Sequence, residues 1–264
     1  MSDQFSDITN PSLSILVVDD DELNQRMMRL ILKREGHLVE CVSNGLEAVD
    51  AVKARTFDMI LMDLQMPVMD GVEASRRIRA GEDGSGRTFI VALTASYLPE
   101  RGRELYEAGI DNYISKPFEI EHLRHILKYG LENRRVRNES DDNVSSNTKL
   151  PADAGFDPQL GIKRVGGDAE TYRELLNDFI QELPEKLETM WSCFRKKDIE
   201  GLYRVAHNLK GVSANLGALQ LSEHAYRLEK QVSESYTETI EGALKDVSTT
   251  SDKLKVVAFN FLGG

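Results

Sequence analysis

Five polar side chains follow short apolar runs in the first half of the chain, and their types suit phosphoryl-transfer chemistry. These side chains are Asp19 and Asp20 after the first run, and Asp63, Thr94 and Lys116 after three later ones. Carboxylates gathered in one pocket repel each other unless a cation joins them, and a half-open site made of oxygen ligands suits Mg²⁺ best. A metal ion and a lysine can neutralise the transferring oxygens, a hydroxyl can donate a hydrogen bond to them, and an aspartate can be the nucleophile.

These side chains can meet only if the runs before them are neighbouring parallel strands. The runs cover residues 15–18, 38–42, 59–62, 89–93 and 113–114. Their length and β-branched content indicate strands, and the amphipathic segments between them predict helices. Five such units over residues 12–130 predict a doubly wound α/β domain with a five-stranded parallel sheet. In the order 2-1-3-4-5 the first and third strands are neighbours, which would bring Asp19, Asp20 and Asp63 into one pocket.

A second candidate site lies at residues 206–217, inside a helical pattern. On a helical wheel the apolar residues of this segment share one face, and His207, Gly211 and Ala214 fall near the opposite pole. We therefore expect His207 to point to solvent, with Lys210 beside it to supply positive charge for phosphoryl oxygens. Gly211 costs about 1 kcal/mol in a helix interior relative to Ala, and its gain would be the close approach of another protein.

Residues 157–262 show no strand-like alternation, and their amphipathic stretches predict an antiparallel four-helix bundle. Asp168 and Asp198 are candidate helix N-caps, whereas Pro184 either kinks the first long helix or begins the next one. Residues 131–156, between the two domains, are polar and contain few apolar side chains, which predicts a flexible linker.

The first domain resembles a response-regulator receiver domain in four motifs. These are Leu16-Val17-Val18-Asp19-Asp20, residues 62–71 from Met62 to Gly71, Leu93-Thr94-Ala95 and Lys116-Pro117-Phe118. The resemblance implies that Asp63 accepts a phosphoryl group. It also implies that Asp20, Asp63 and the main-chain carbonyl of Gln65 bind Mg²⁺ directly, with Asp19 acting through water. Asp21, the last acid of its run, is interpreted as a helix-cap residue.

The same resemblance extends to the residues that would respond to phosphorylation. It implies that Thr94 and Lys116 contact the phosphoryl oxygens. Tyr113, three residues before the lysine, matches the aromatic switch position of the family. A half-buried aromatic residue that ends a strand is an alternative interpretation of Tyr113.

The stretch His207-Asn208-Leu209-Lys210-Gly211 resembles the motif of a histidine phosphotransfer (Hpt) domain. The resemblance covers residues 157–262 and implies a helical bundle without a nucleotide site, whose histidine relays phosphoryl groups. A receiver joined to such a domain is similar to the C-terminal portion of hybrid sensor histidine kinases.

Both resemblances together predict a two-component phosphorelay protein with Mg²⁺ as its cofactor. Its expected partners are an upstream sensor histidine kinase and a downstream response-regulator receiver. Two alternatives stay open: an adaptor in which His207 is idle, and a drain that carries phosphoryl groups back to Asp63 for hydrolysis. The sequence has no ATP-binding glycine motif, so no kinase catalytic domain is predicted. It leaves open whether the chain takes phosphoryl groups from small phosphodonors or hydrolyses its own acyl phosphate.

Composition excludes several other classes of protein. The formal net charge is −11 and both halves are acidic, which argues against nucleic-acid binding. No segment of the sequence contains close to 18 consecutive apolar residues. The first residues are polar and show no signal-peptide pattern. The two cysteines, Cys41 and Cys193, are far apart, which argues against a disulfide framework and fits a reducing compartment. We therefore expect a cytoplasmic protein with no membrane segment in this chain.

Overall fold

The apolar runs of the first domain form a parallel sheet in the computed structural model, which describes residues 12–82, 87–94, 102–117, 120–133, 155–234 and 237–263. The strands are β1 (Ser14–Val18), β2 (Leu38–Val42), β3 (Met59–Asp63), β4 (Phe89–Thr94) and β5 (Asn112–Ser115). Their order is β2-β1-β3-β4-β5, with every pairing parallel. The predicted strands and their order are confirmed. Most of the predicted linker, residues 134–154, lies outside the described ranges, as do Ala95 and Phe118.

Helices cover both faces of this sheet. They are α1 (Glu22–Arg34), α2 (Gly45–Ala54), α3 (Gly71–Gly81), α4 (Gly102–Glu107) and α5 (Ile120–Asn133). In β1, Ile15 and Val17 belong to the apolar cluster of α1 and α5. The alternating residues Leu16 and Val18 belong to the cluster of α2, α3 and α4. Because side chains alternate across a strand, both faces are buried, and the doubly wound α/β architecture is confirmed.

Several of these helices begin close to the strand ends, at a residue whose side chain caps the helix. The carboxylate of Asp21 accepts hydrogen bonds from the backbone N–H groups of Leu23 and Asn24, as an N-cap does. The cap interpretation of Asp21 is therefore confirmed. Since α1 begins immediately after Asp21, Asp19 and Asp20 remain in the short turn at the carboxyl edge of the sheet.

The second domain is a bundle of helices, as predicted. Its elements are α6 (Pro158–Arg164), α7 (Ala169–Lys196), α8 (Ile199–Asn215), α9 (Leu219–Ser233) and α10 (Thr237–Leu262). The four long helices form a ring in which α7 and α9 each pack against both α8 and α10. The short helix α6 was not predicted. Within the described ranges no helix combines the length and the apolar character needed to cross a bilayer.

Pro184 lies inside helix α7, which continues past it. The residue therefore does not begin a second helix. A proline inside a helix removes one backbone hydrogen bond and costs about 3 kcal/mol. The apolar stripe of α7 runs on both sides of it, and Leu176, Leu183 and Met190 are fully buried. We attribute the continuous helix to this burial, which outweighs the local cost.

The two domains pack against each other, with α1 of the first beside α7 of the second. Buried apolar side chains of both domains belong to one contiguous cluster. Lys186 of α7 and Asn208 of α8 donate hydrogen bonds to Asp21 and Asp20, so the carboxyl edge of the sheet lies close to the helical bundle.

Candidate functional site

The register of the sheet aligns the polar strand ends at one edge. Pairs at this edge are Val18–Met62, Asp63–Leu93 and Thr94–Ser115. Carboxylate oxygens of Asp19, Asp20 and Asp63 lie within 4.8 Å of one another. The three acids that the sequence predicted to share a pocket are thus brought together.

Lys116 bridges two of these carboxylates. Its Nζ lies 2.7 Å from Oδ2 of Asp19 and 2.7 Å from Oδ2 of Asp63, and the side chains of all three are buried. Burial raises the pKa of Asp19 to about 7, although the Lys116 ammonium acts in the opposite direction. Burial alone would lower the pKa of Lys116, but the two carboxylates hold it above its usual value. Lys116 therefore stays charged and offsets part of the repulsion in the pocket.

The acid pocket has the donor set that a hard divalent cation requires. Asp20 is less buried than its neighbours, and its pKa is raised first by burial and then by the carboxylate of Asp63. A carboxylate with a raised pKa beside another carboxylate gains from a bound cation. The backbone N–H of Gln65 donates to Oδ1 of Asp63 at 3.0 Å, which holds Gln65 close to the pocket. Oxygen ligands of this kind fit Mg²⁺.

Thr94 and Tyr113 lie where the switch prediction needs them. Thr94 is buried as the last residue of β4, at the same edge of the sheet as Asp63. Tyr113 is half-buried in β5 and packs against the apolar cluster of α2, α3 and α4. Both interpretations of Tyr113 fit this position, so its switch role stays a prediction.

His207 lies in the middle of α8 and is held by a buried carboxylate. Its Nδ1 is 2.7 Å from Oε1 of Glu229 on α9, and its ring stacks on Tyr203 with centroids 6.1 Å apart. Lys210 donates to Oε2 of the same Glu229 at 2.6 Å. Burial by itself raises the pKa of Glu229, but the hydrogen bond with His207 and the Lys210 ammonium bring it below its usual value. Glu229 is therefore ionised, and Nδ1 of His207 is the donor to it.

The prediction that His207 points to solvent is wrong in this structure, where the residue is only 6% exposed. The helical wheel placed His207 correctly outside the apolar stripe of α8. It could not account for Glu229 from α9, or for the first domain, which contacts the flanking residues Tyr203 and Asn208.

The two residues expected to serve docking, Gly211 and Ala214, are also buried. A Cβ built on Gly211 would meet no heavy atom within 4 Å, so the close approach expected there is not observed. The carbonyl of Ala214 accepts a hydrogen bond from Arg164 of α6, inside the helical domain. Their docking roles stay predictions that this geometry does not favour.

The histidine helix faces the acid pocket. Asn208 donates from Nδ2 to both carboxylate oxygens of Asp20, at 3.3 Å each. Gln65 donates from Nε2 to the hydroxyl of Tyr203 at 3.2 Å. The residues that flank His207 on α8 therefore contact the residues that flank Asp63, although the two sites are far apart in sequence.

Sequence reasoning missed Glu229, Tyr203 and Asn208. A signal existed for Glu229, because it lies four residues after Ala225 and three before Val232, on the buried stripe of α9. A carboxylate on such a stripe needs a partner. Tyr203 and Asn208 carry no comparable local signal, since their hydrogen-bond partners Gln65 and Asp20 belong to the other domain.

Comparison with known proteins gives the class of each domain. The model of the response regulator receiver domain matches residues 15–128, and the model of the Hpt domain matches residues 174–252. The chain therefore contains a receiver domain followed by an Hpt domain, and this pair of domains indicates a two-component phosphorelay protein.

Curated relatives that match most of this chain include a sensor protein and a histidine-protein kinase. The sensor protein GacS of Pseudomonas syringae pv. syringae is 31% identical over 92% of this chain. The signal transduction histidine-protein kinase BarA of Escherichia coli K12 is 28% identical over 98% of it. This chain spans 27% and 28% of the lengths of these two relatives.

Solved receiver domains are also similar to the first domain. The receiver domain of the sensor histidine kinase PA1611 from Pseudomonas aeruginosa PAO1 has 37% sequence identity. The match covers 46% of this chain and 99% of that one, with a TM-score of 0.43. That structure has a magnesium ion coordinated in its active-site cleft.

Proposed function

We propose that Asp63 is the phosphoryl acceptor of the receiver domain, and that His207 exchanges phosphoryl groups with it within the same chain. We assign residues 12–130 to the receiver, 157–262 to the Hpt domain and 131–156 to the connection between them. One observation carries this proposal: α8 lies over the acid pocket, with Asn208 on Asp20 and Tyr203 on Gln65.

Asp63 acts as the nucleophile toward a phosphohistidine. One of its carboxylate oxygens attacks the phosphorus, an O–P bond forms and the N–P bond breaks. The electron pair of the N–P bond stays on the nitrogen, and the imidazole leaves neutral because its other nitrogen already carries a proton. Lys116, 2.7 Å from Asp63, neutralises the oxygens of the transferring group, and Thr94 donates a hydrogen bond to them. Thr94 and Tyr113 then respond to the added charge.

Mg²⁺ would be held by Asp20, Asp63 and the main-chain carbonyl of Gln65, with Asp19 acting through water. When bound, the ion neutralises charge on the phosphoryl oxygens. The grouping of the carboxylates within 4.8 Å and the raised pKa of Asp20 support this assignment from the chain's own residues.

His207 takes the phosphoryl group on Nε2. Because Nδ1 donates to Glu229, the lone pair of the neutral imidazole is on Nε2. Attack on the acyl phosphate forms the N–P bond, breaks the P–O bond and regenerates the carboxylate of Asp63. Glu229 is a positioning residue that sets the tautomer and the orientation of the imidazole. Lys210, bound to Glu229, supplies positive charge near the incoming oxygens.

An upstream sensor histidine kinase would supply the phosphoryl group, and a downstream receiver would take it from His207. The curated relatives are sensor kinases, which supports a kinase as the source. The same contacts serve flow in either direction, so the drain is the reverse of this route.

Labelling with radioactive acetyl phosphate and Mg²⁺ tests the proposal. We expect base-labile label on the receiver and acid-labile, base-stable label on the Hpt domain. Asp63→Asn should remove both, whereas His207→Gln should remove only the second. Asp50→Asn and His125→Gln, changes at exposed positions, are the matched controls.

Two outcomes would count against the proposal. If the wild-type receiver is labelled and His207 never acquires label, the adaptor reading takes its place. If Asp63→Asn is labelled on the receiver as fully as the wild type, the acceptor is a different residue.

A further inference from the structure

Ion pairs connect α1 and α7 along the domain contact. Arg34 pairs with Asp168 at 3.2 Å, and Arg26 pairs with Asp178 and, at 3.4 Å, with Glu174. Lys186 donates to Oδ2 of Asp21 at 2.7 Å. Residue numbers rise along α1 as they fall along α7, so the two helices run antiparallel and their charges match at three successive levels.

The charges along each of the two helices are not all of one sign. From the cap of α1 onward the signs are negative, positive and positive at positions 21, 26 and 34. Facing them, α7 presents a positive Lys186, then the negative pair of Glu174 and Asp178, then the negative Asp168. A helix with another charge order would place like charges opposite each other at one level or more.

The level nearest the acid pocket is the most buried. The side chain of Asp21 is 3% exposed and that of Lys186 is 21% exposed. Leaving one member of a buried ion pair without its partner is strongly unfavourable. Because Asp21 directly follows Asp20, this pair also sets the register of α7 beside the pocket.

The outer pairs are exposed, with Arg26 at 45% and Glu174 at 58%. Exposed ion pairs stabilise a matched contact only slightly, whereas like charges in a mismatched contact repel. Charges arranged in this way discriminate between partners more than they add affinity.

We propose that this charge register makes Arg26, Glu174, Asp178 and Lys186 specificity-determining residues, which direct the receiver to the Hpt domain of its own chain. The inference rests on the proposed exchange between Asp63 and His207. A foreign Hpt domain that lacks the same order of charges along its first long helix is rejected by repulsion at the level of Arg26 or of Asp21.

A charge swap in the full chain tests the inference. We expect Arg26→Glu to slow transfer from Asp63 to His207 about tenfold and to increase the radius of gyration in small-angle X-ray scattering, because it faces Glu174 and Asp178. Adding Glu174→Arg and Asp178→Arg should return both quantities to near the wild-type values. Arg29→Glu is the matched control, since Arg29 lies on the same helix but interacts with Cys41 on β2.

A second experiment measures phosphoryl transfer between two different chains. One chain carries Arg26→Glu with His207→Gln, and the other carries Glu174→Arg and Asp178→Arg with Asp63→Asn. Each is mismatched within itself, but the receiver of the first matches the Hpt domain of the second. We expect label to pass between them several-fold faster than between the unswapped His207→Gln and Asp63→Asn chains.

The readouts separate this inference from the proposed function. Equal transfer rates and equal radii in wild type and Arg26→Glu would overturn the charge register, and so would a triple variant that stays as slow as Arg26→Glu. A wild-type chain that is labelled on Asp63 but never on His207 would overturn the exchange, while the scattering would still report on the register. Labelling of Asp63 in Arg26→Glu to at least the wild-type level shows that the receiver of this variant is folded.

Discussion

At the scale of single residues, each proposed phosphotransfer site depends on a buried lysine–carboxylate contact. In the receiver, Lys116 is shared by Asp19 and Asp63. In the Hpt domain, Glu229 is shared by His207 and Lys210. A buried carboxylate without a cationic partner would be driven toward protonation, and a protonated acid could neither bind a metal ion nor hold the His207 tautomer.

Replacement of Asp20 tests the metal assignment. We expect Asp20→Ala to weaken Mg²⁺ binding by more than about tenfold, because it removes one of the proposed anionic ligands. Calorimetric titration of the full chain measures the affinity. Asp50→Ala, an exposed change elsewhere on the receiver, should bind as the wild type does. An unchanged affinity in Asp20→Ala would exclude this residue as a ligand.

The pairing of Glu229 predicts a pH dependence of stability. Its pKa in the folded protein lies below the ordinary value of 4.5, so folding favours the ionised form. This contribution to the free energy of unfolding is fully present above about pH 4.5 and is lost as the pH falls through the lower, folded-state pKa.

Urea unfolding of wild type and Glu229→Gln over a pH series measures that contribution. We expect the wild type to be the more stable protein at about pH 7. The difference in the free energy of unfolding between the two proteins should shrink as the pH falls below about 4.5. Other carboxylates titrate equally in both proteins and cancel in the difference. A difference that stays constant from neutral to acidic pH would contradict the ionic role of Glu229.

At the scale of elements, helix α8 carries two glycines with opposite surroundings. A Cβ at Gly211 would meet nothing within 4 Å, whereas one at Gly201 would collide with Oδ2 of the N-cap Asp198. Gly201 therefore makes room for the cap of α8. Gly211 has no such packing reason in this structure, although it lies one turn from His207.

The two glycines predict opposite effects of the same substitution. We expect Gly211→Ala to stabilise the protein by about 0.5–1 kcal/mol, because alanine restricts the unfolded chain and favours the helix. Gly201→Ala should destabilise it, since the N-cap carboxylate must move. Chemical denaturation measures both. If Gly211→Ala is destabilising, a close approach at this position exists in solution, as the sequence predicted.

At the scale of the whole molecule, the packed domains bury both proposed phosphoryl acceptors. Asp63 is 3% exposed and His207 is 6% exposed, and each lies among residues that contact the other domain. Under the proposed function, an outside kinase or an outside receiver could reach its acceptor only after the domains separate. Exchange within the chain and exchange with partners would therefore compete.

Chemical modification of histidines measures this closure. Diethyl pyrocarbonate should modify His207 more slowly than the exposed His125 in the wild-type chain, and Arg26→Glu should raise the rate at His207 without affecting His125. Peptide mass spectrometry resolves the two sites. Equal rates at His207 and His125 in the wild type would mean that the domains are mostly separated in solution.

The amino-acid sequence by itself determined the receiver architecture and its acid pocket. The local pattern of the apolar runs indicates strands. Parallel strands that are covered by helices on both faces can be connected in only a few ways. Residues at the ends of those strands, such as Asp19, Asp63 and Lys116, must then meet at one edge. The N-caps Asp21, Asp168 and Asp198 were also readable, because a cap acts on the backbone within three residues of itself.

Only the tertiary structure decided the environment of His207 and the contact between the domains. Helical periodicity shows which face of α8 packs in its own bundle, but not what covers the opposite face. The contacts of Glu229, Asn208 and Lys186 join residues 19 to 188 positions apart, and no local pattern encodes such pairs. The prediction for His207 failed for this reason: an exposed face on a helical wheel becomes a buried site once a neighbouring helix and a second domain pack against it.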